Sequence, residues 1–323
     1  MTAFPRTVCP EHRLELEVRP DALVCPRGCR FPVADGIARF ADDGYVRRFG
    51  HQWNAFARVQ LDSYTGLSVS RDRLARLCGG DLGRLRGKLV LEAGCGAGRF
   101  TEVLLDAGAR VVAMDLSRAV EANQANNGAS PDLLVHQADI LRLPYAPGQF
   151  DAVICVGVLQ ATPDPERAMA ALAAQLAPGG ELVIDHYHLD YLMHPARQRL
   201  RRLLLALPDS WSIPIVRAVV GALWPLHALC WKLRDRPGCA HLWGRLVAVS
   251  PVMDYHALYP QLPPRIMREW AILDTHDNAS DTFKHRRGEE DIRRTLAGLG
   301  LADIEVVRAG NGVEARAVRP VVG

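Results

Sequence analysis

Two short stretches near the start of the chain carry side chains that bind metals. Cys9-Pro10-Glu11-His12 sets a thiol and an imidazole three positions apart, and Cys25-Pro26-Arg27-Gly28-Cys29 sets two thiols four apart. Each stretch can offer two ligands from one turn, and four such donors close a tetrahedral zinc site. Pro10 and Pro26 follow the first cysteine of each knuckle and preset its turn. The run Phe31 to Phe40 reads as two short apolar segments about an Asp35-Gly36 hairpin turn. The remaining cysteines, Cys78, Cys95, Cys155, Cys230 and Cys239, are scattered and read as small buried side chains.

A second chemical signal begins at Lys88. Lys88-Leu89-Val90-Leu91 is a short apolar strand that runs into Glu92-Ala93-Gly94-Cys95-Gly96-Ala97-Gly98-Arg99. A helix follows from Phe100 to Asp106, closed by Gly108. Strand, glycine loop and helix form a unit whose loop lets a ligand approach the backbone. The spacing is G-x-G-x-G, with Arg99 where a dinucleotide site wants its third glycine. No Gly-Lys-Ser/Thr follows, which excludes a phosphate cradle of the P-loop type.

The elements that must position this loop are legible downstream. Arg110–Met114 is a second strand ending in Asp115, an acid placed to accept from both hydroxyls of a ribose. Ser117 reads as the N-cap of the next helix. Leu133–Ala138 is a third strand ending at Asp139, and Phe150–Val156 a fourth, apolar enough to be central. Asp164-Pro165 opens a helix, Pro178-Gly179-Gly180 reads as a turn, and Glu181–Ile184 is a fifth strand. After a helix at Glu289–Leu296, two strands flank Gly310-Asn311-Gly312, a hairpin that would add the one antiparallel strand. The fold class is therefore α/β: a doubly wound, mostly parallel seven-stranded sheet of Rossmann-like type. It carries a small N-terminal zinc ribbon and a helical insertion. The expected divisions are 1–42 for the ribbon and 43–323 for the main domain, with N-terminal helices at 43–86 and the insertion at 190–272.

Val90–Phe100, Asp115-Leu116-Ser117, Gln137-Ala138-Asp139-Ile140 and Phe150-Asp151 through Gly157-Val158-Leu159 together resemble the successive motifs of class I S-adenosylmethionine (SAM)-dependent methyltransferases. The resemblance covers residues 88–187. It extends to Phe49-Gly50-His51-Gln52-Trp53 and Gln60-Leu61-Asp62 upstream, and the first 40 residues resemble zinc ribbons found in front of some methyltransferases. It implies that Gly94 and Gly96 pack against the methionine part of SAM and that Glu92 orients nearby amides and the ligand's ammonium. It further implies that Asp115 holds the ribose diol, Leu116 covers the adenine, and Asp139 and the Ile140 N–H bind the adenine edge. Similar enzymes often carry His-His where this chain has Gln160-Ala161.

Methyl transfer needs an aligned acceptor and, for a hydroxyl or ammonium, a base. His186 and His188 follow the fifth strand and alternate to one face, with Asp185 and Tyr187 on the other; the two histidines are the expected catalytic pair. Thr275-His276-Asp277 and His285 read as a polar loop over the pocket. In the insertion, Arg197, Arg199, Arg201 and Arg202 lead into an apolar stretch, Leu200–Trp231. That stretch reads as a membrane-surface helix, a lid, or a packing face toward the core or a second subunit.

Composition bounds the rest. The chain has 323 residues, 49% hydrophobic and 23% charged, with 39 basic and 36 acidic side chains. Disorder is excluded, and a net charge of +3 gives no global nucleic-acid footprint. Met1–Val8 lacks a signal-peptide core, and the uncharged run Ala218–Trp231 is short and interrupted by Pro225, so no transmembrane segment and a cytoplasmic location are expected. The leading expectation is a SAM-dependent methyltransferase of a small molecule or glycoconjugate, acting on O or N. The alternatives are an rRNA or tRNA base methyltransferase, which the ribbon favours and the charge opposes, and an enzyme that cyclises or cleaves SAM.

Overall fold

The computed structural model describes residues 4–191, 193–237, 239–310 and 312–321. Met1–Ala3, the side chain of Phe49, and Asn311 of the expected hairpin turn lie outside the described residues. The strands are β1 (Glu17–Arg19), β2 (Ala22–Val24), β3 (Arg30–Ala34), β4 (Ile37–Arg39), β5 (Leu89–Ala93), β6 (Arg110–Asp115), β7 (Leu133–Gln137), β8 (Phe150–Cys155), β9 (Leu176–Tyr187), β10 (Ala302–Ala309) and β11 (Gly312–Val318). They form one sheet in the order β1-β2-β3-β4-β7-β6-β5-β8-β9-β11-β10. The seven-stranded part, β7 through β10, is parallel except for β11, which runs against both β9 and β10.

Strand order reverses beside β5: β6 and β7 lie to one side, β8 and β9 to the other. In such sheets the crevice outside the strand C-termini at the reversal receives the ligand. β5, β6 and β8 can occupy the centre because they are apolar toward both faces; Val90, Leu91, Val111 to Met114 and Ala152 to Cys155 are all buried. Two cores result, one on each face of the sheet.

Helices α1 (Arg47–Ala55), α2 (Asp62–Thr65) and α3 (Val69–Leu77) precede the sheet core, and α4 (Arg99–Asp106), α5 (Ala119–Asn127) and α6 (Pro165–Ala173) alternate with its strands. α6 starts where the sequence indicates, with the Asp164 carboxylate accepting from the Arg167 N–H at 3.0 Å. α5 begins two residues after the expected cap. Ser117 instead donates to the Asp115 carboxylate at 2.7 Å and accepts from the Ala119 N–H at 3.2 Å. The expected Pro178-Gly179-Gly180 turn is absorbed into β9, whose pairing with β8 shifts register there; Gly179, at φ +77°, takes the irregularity.

The insertion is helical: α7 (Pro195–Ala206), α8 (Asp209–Leu233), α9 (Ala240–Val249) and α10 (Pro264–Ser280), followed by α11 (Glu289–Gly298) of the main domain. Thr275, His276 and Asp277 lie within α10 rather than in a loop. α8 runs through Pro214 and Pro225 for 25 residues, so the uncharged run is not broken as expected. By length and composition it is the one helix among the described residues long and apolar enough to cross a membrane. Its buried side is fixed by polar contacts. His276 reaches Ser212 at 2.9 Å, and His227 sits between Asp254 at 2.6 Å and Ser250 at 2.8 Å.

The N-terminal ribbon does not stand apart. β4 pairs in parallel with β7, Ala38 beside His136 and Arg39 beside Gln137. The Arg13 guanidinium donates to the carbonyls of Leu143 and Tyr145, each at 2.8 Å.

Candidate active site

The crevice at the strand C-termini opens into a cavity of about 480 Å³, a size that holds a small ligand. One wall is the glycine loop and the ends of β6 and β7. Gly94 and Gly96 have φ of +81° and +51°, which favours glycine at both. A Cβ on Gly94 would fall 2.2 Å from a Val158 methyl, whereas one on Gly157, also in the wall, would meet no protein atom within 4 Å and project into open space. The Asp115 carboxylate faces the cavity, held by the N–H groups of Gly96 at 3.0 Å and Ser117 at 2.8 Å. Burial raises it above the usual carboxylate range, and these donors oppose that rise. Leu116, Asp139 and Ile140 line the same wall, with Asp139 accepting from the Leu141 N–H at 2.9 Å.

Glu92 is elsewhere than expected. It lies outside the cavity wall, buried, with one carboxylate oxygen taking the Thr101 hydroxyl and the other without a partner. The N–H groups of Gly94 and Cys95 donate to the Met114 carbonyl, not to Glu92. Burial pushes the Glu92 carboxyl up to about 8, against the Thr101 hydrogen bonds, which lower it.

The opposite wall comes from α10, β9, the segment after β8 and the N-terminal helices. Asp274 is saturated: it accepts from Gln60 at 2.9 Å, from Trp270 at 3.0 Å and from the Tyr255 hydroxyl. Asp277, one turn on, accepts from Gln52 alone among the described residues, at 3.0 Å. Burial, and then the neighbouring charge of Asp274, push its carboxyl up to about 6. Asn278 and Gln160 also line the cavity, each with a buried side-chain amide oxygen that has no partner among the described residues. Tyr187 and Tyr191 stack with centroids 4.4 Å apart. Arg99 is half-buried, donating to Gln60 at 2.7 Å and Ser70 at 3.1 Å, and desolvation lowers it to about 10. Arg73 pairs with Asp185 at 2.5 Å, and Asp185 also takes the Gly157 N–H at 2.5 Å, which fixes that loop.

The period-two alternation of β9 is as expected, but its faces are exchanged. Tyr187 faces the cavity, while His186 and His188 do not line it. His186 is buried against the Tyr187 carbonyl at 3.1 Å, and His188 contacts Glu289 of α11 at 3.0 Å. His276 likewise points from α10 toward Gln52 and Ser212, and the His285 N–H donates to the Gln160 carbonyl at 2.9 Å. The sequence places Asp277 over the pocket but as part of a loop, and Asp274 and Asn278 are not singled out although they carry a signal. Asp274, Asp277 and Asn278 stand three and four apart and share one helix face.

Cys9, His12, Cys25 and Cys29 do converge, their ligand atoms all within 4.8 Å of one another. His12 Nδ1 is 3.7 Å from the Cys9 sulfur and 3.5 Å from those of Cys25 and Cys29. Tetrahedral bonds of about 2.3 Å to sulfur and about 2.0 Å to nitrogen put ligands roughly 3.5–3.8 Å apart, so the quartet has the dimensions of a zinc site.

Residues 91–184 match the family model described as a methyltransferase domain. An uncharacterised protein of Synechococcus is 39% identical over 112 residues, 33% of this chain and 26% of that one. A ubiquinone biosynthesis O-methyltransferase of Xanthomonas euvesicatoria is 35% identical over 105 residues, 31% of this chain and 44% of that one. Among solved structures, the N-methyltransferase NodS of Bradyrhizobium japonicum, in complex with S-adenosyl-L-homocysteine, is 30% identical; the match covers 35% of this chain and 60% of that one at a TM-score of 0.33. The chain thus spans less than half the length of these two curated relatives. What the sheet, the loop and the family match define is a SAM-dependent methyltransferase domain.

Proposed function

We propose that the protein transfers a methyl group from SAM to a hydroxyl of a small-molecule acceptor. The observation that carries this reading is the two-sided cavity. One side presents the glycine loop with Asp115 and Asp139. The other presents Asp277, a carboxylate with a single donor among the described residues, beside the unpartnered side-chain amide oxygens of Gln160 and Asn278. Two side-chain oxygens without donors among the described residues, beside a carboxylate with one, suit a ligand that brings O–H or N–H groups.

Bound SAM supplies an electrophilic methyl on a sulfonium, whose sulfur leaves with the bonding pair as a neutral thioether. The chain's residues do the rest. Asp115 holds the ribose hydroxyls, and the wall at Leu116, Asp139 and Ile140 holds the adenine. Gly157, fixed by Asp185, leaves space beside the reacting centre. Gln160 and Asn278 orient the acceptor, and Asp277 takes the hydroxyl proton as oxygen bonds to carbon. His186 and His188 have no place in this scheme.

The quartet Cys9, His12, Cys25 and Cys29 holds one structural zinc in this reading, and residues 1–42 form the ribbon it closes. SAM binding by calorimetry, followed by release of the demethylated product over a panel of phenols, catechols and amines, tests the proposal. Binding without turnover of any hydroxyl, with turnover of amines, would replace the acceptor class.

A further inference from the structure

The helical insertion carries a second surface that the cavity does not use. Residues 195–250 contain nine Lys and Arg against two Asp, although the whole chain is only +3. α8 hides Ser212, Val216, Val220 and His227. Its outward stripe is Trp211, Pro214, Ala218, Ala222, Leu226 and Leu229, all exposed and spaced three or four apart. At about 1.5 Å per residue this stripe runs roughly 27 Å without a polar side chain. α9, packed on α8, also exposes Leu242 and Val249. A helix apolar on its outer face as well as its inner one needs a cover.

We infer that α8 and α9 lie on an anionic bilayer surface, apolar stripe down, with the basic side chains of the insertion at the lipid headgroups. Arg199, Arg202, Lys232, Arg236 and Arg245 are exposed and make no ion pair among the described residues. A helix that carries apolar side chains to the acyl boundary and cations to the headgroups binds in the plane of the interface. Spanning the bilayer is excluded by the other face: His227 and Ser212 are tied by hydrogen bonds to Asp254, Ser250 and His276. A second copy of the chain is the rival cover. Pairing this face with itself about a twofold axis would set the cationic insertions against each other. The insertion also walls the cavity through Arg197, Met253 and Tyr255, so a bound bilayer would stand next to the acceptor side.

The test is flotation of the full-length protein with vesicles of phosphatidylcholine alone or with about one third phosphatidylglycerol. The expected result is binding to the anionic vesicles only, weakened roughly 10-fold between 0.1 and 0.5 M salt. Trp211→Ser with Leu226→Ser and Leu229→Ser should reduce binding at least ~10-fold while SAM affinity by calorimetry stays unchanged. A charge variant, Arg199→Gln with Arg202→Gln and Arg236→Gln, leaves the stripe intact and should also weaken it. No binding to anionic vesicles by the wild-type protein overturns the inference. So does a wild-type dimer in solution that the stripe variant converts to monomer, since that makes a second copy the cover. SAM binding is read separately, so neither outcome is confused with failure of the methyltransferase reading.

Discussion

Asp277→Asn isolates the proposed base. The amide keeps the shape of the side chain and an oxygen for the Gln52 donor, now 3.0 Å from the carboxylate, but accepts no proton from an attacking hydroxyl. Positioned general bases contribute about 10²–10⁴-fold, so turnover should fall at least ~100-fold with SAM affinity unchanged. The pH dependence is the sharper reading. A base raised to about 6 makes wild-type kcat/KM climb about tenfold per pH unit below 6 and level off above it, and the variant should be flat. The groups that face Asp277 are Asp274 and Asp281, which raise it, and Lys284 and Gln52, which lower it. Stability should move the other way. The folded pKa lies above the unfolded one, so the carboxyl costs nothing below about 4, and stability is lost as pH rises from there through about 6. Raising an aspartate from 3.8 to about 6 corresponds to roughly 3 kcal/mol at most, and water in the cavity lowers this. Asp277→Asn should therefore be no less stable than wild type at pH 7.5 in thermal unfolding. A variant that keeps the wild-type pH profile refutes the base assignment.

Asp115→Ala should weaken SAM binding by roughly 10-fold or more in calorimetry, because it removes charge-assisted bonds to two hydroxyls. Gly94→Val should abolish it, since a Cβ there falls 2.2 Å from Val158 at a φ of +81°. His186→Ala and His188→Ala should each retain turnover within about threefold, as neither lines the cavity; a ~100-fold loss in either would return the base to β9. Zinc should copurify at about one ion per chain. Cys25→Ser should lower the metal content and the melting temperature, checked by elemental analysis and calorimetry.

The wall formed by the glycine loop, Asp115 and Asp139 is legible in the sequence because its requirements are local. A glycine loop must follow a strand, and Asp115 and Asp139 must end the next two. The acceptor wall is not, for two physical reasons. Ile184, Asp185 and His186 are all buried, so β9 is covered on both faces and alternation alone does not say which parity meets the cavity. What decides it is long-range: Asp185 is drawn to Gly157 and Arg73, and Tyr187 follows. Thr275-His276-Asp277 reads as a loop because a helix that lines a polar cavity is itself polar. The length of α8 is not legible because Pro225 reads as an interruption, yet the helix runs through both Pro214 and Pro225. Each removes one backbone hydrogen bond, and the surrounding helix carries the rest.

The pairing of β4 with β7 bears on solubility. Without the ribbon, His136 and Gln137 would lie on an open sheet margin, a row of free N–H and C=O groups able to recruit another chain. With it, the margin is moved outward to β1, three exposed residues, Glu17, Val18 and Arg19, two of them charged. A strand that short and charged is a poor template for growth. In the proposed reading a metal ion held by four side chains keeps the ribbon on that margin, and stripping it with a chelator should produce β-rich aggregates before it changes the affinity of the soluble fraction for SAM.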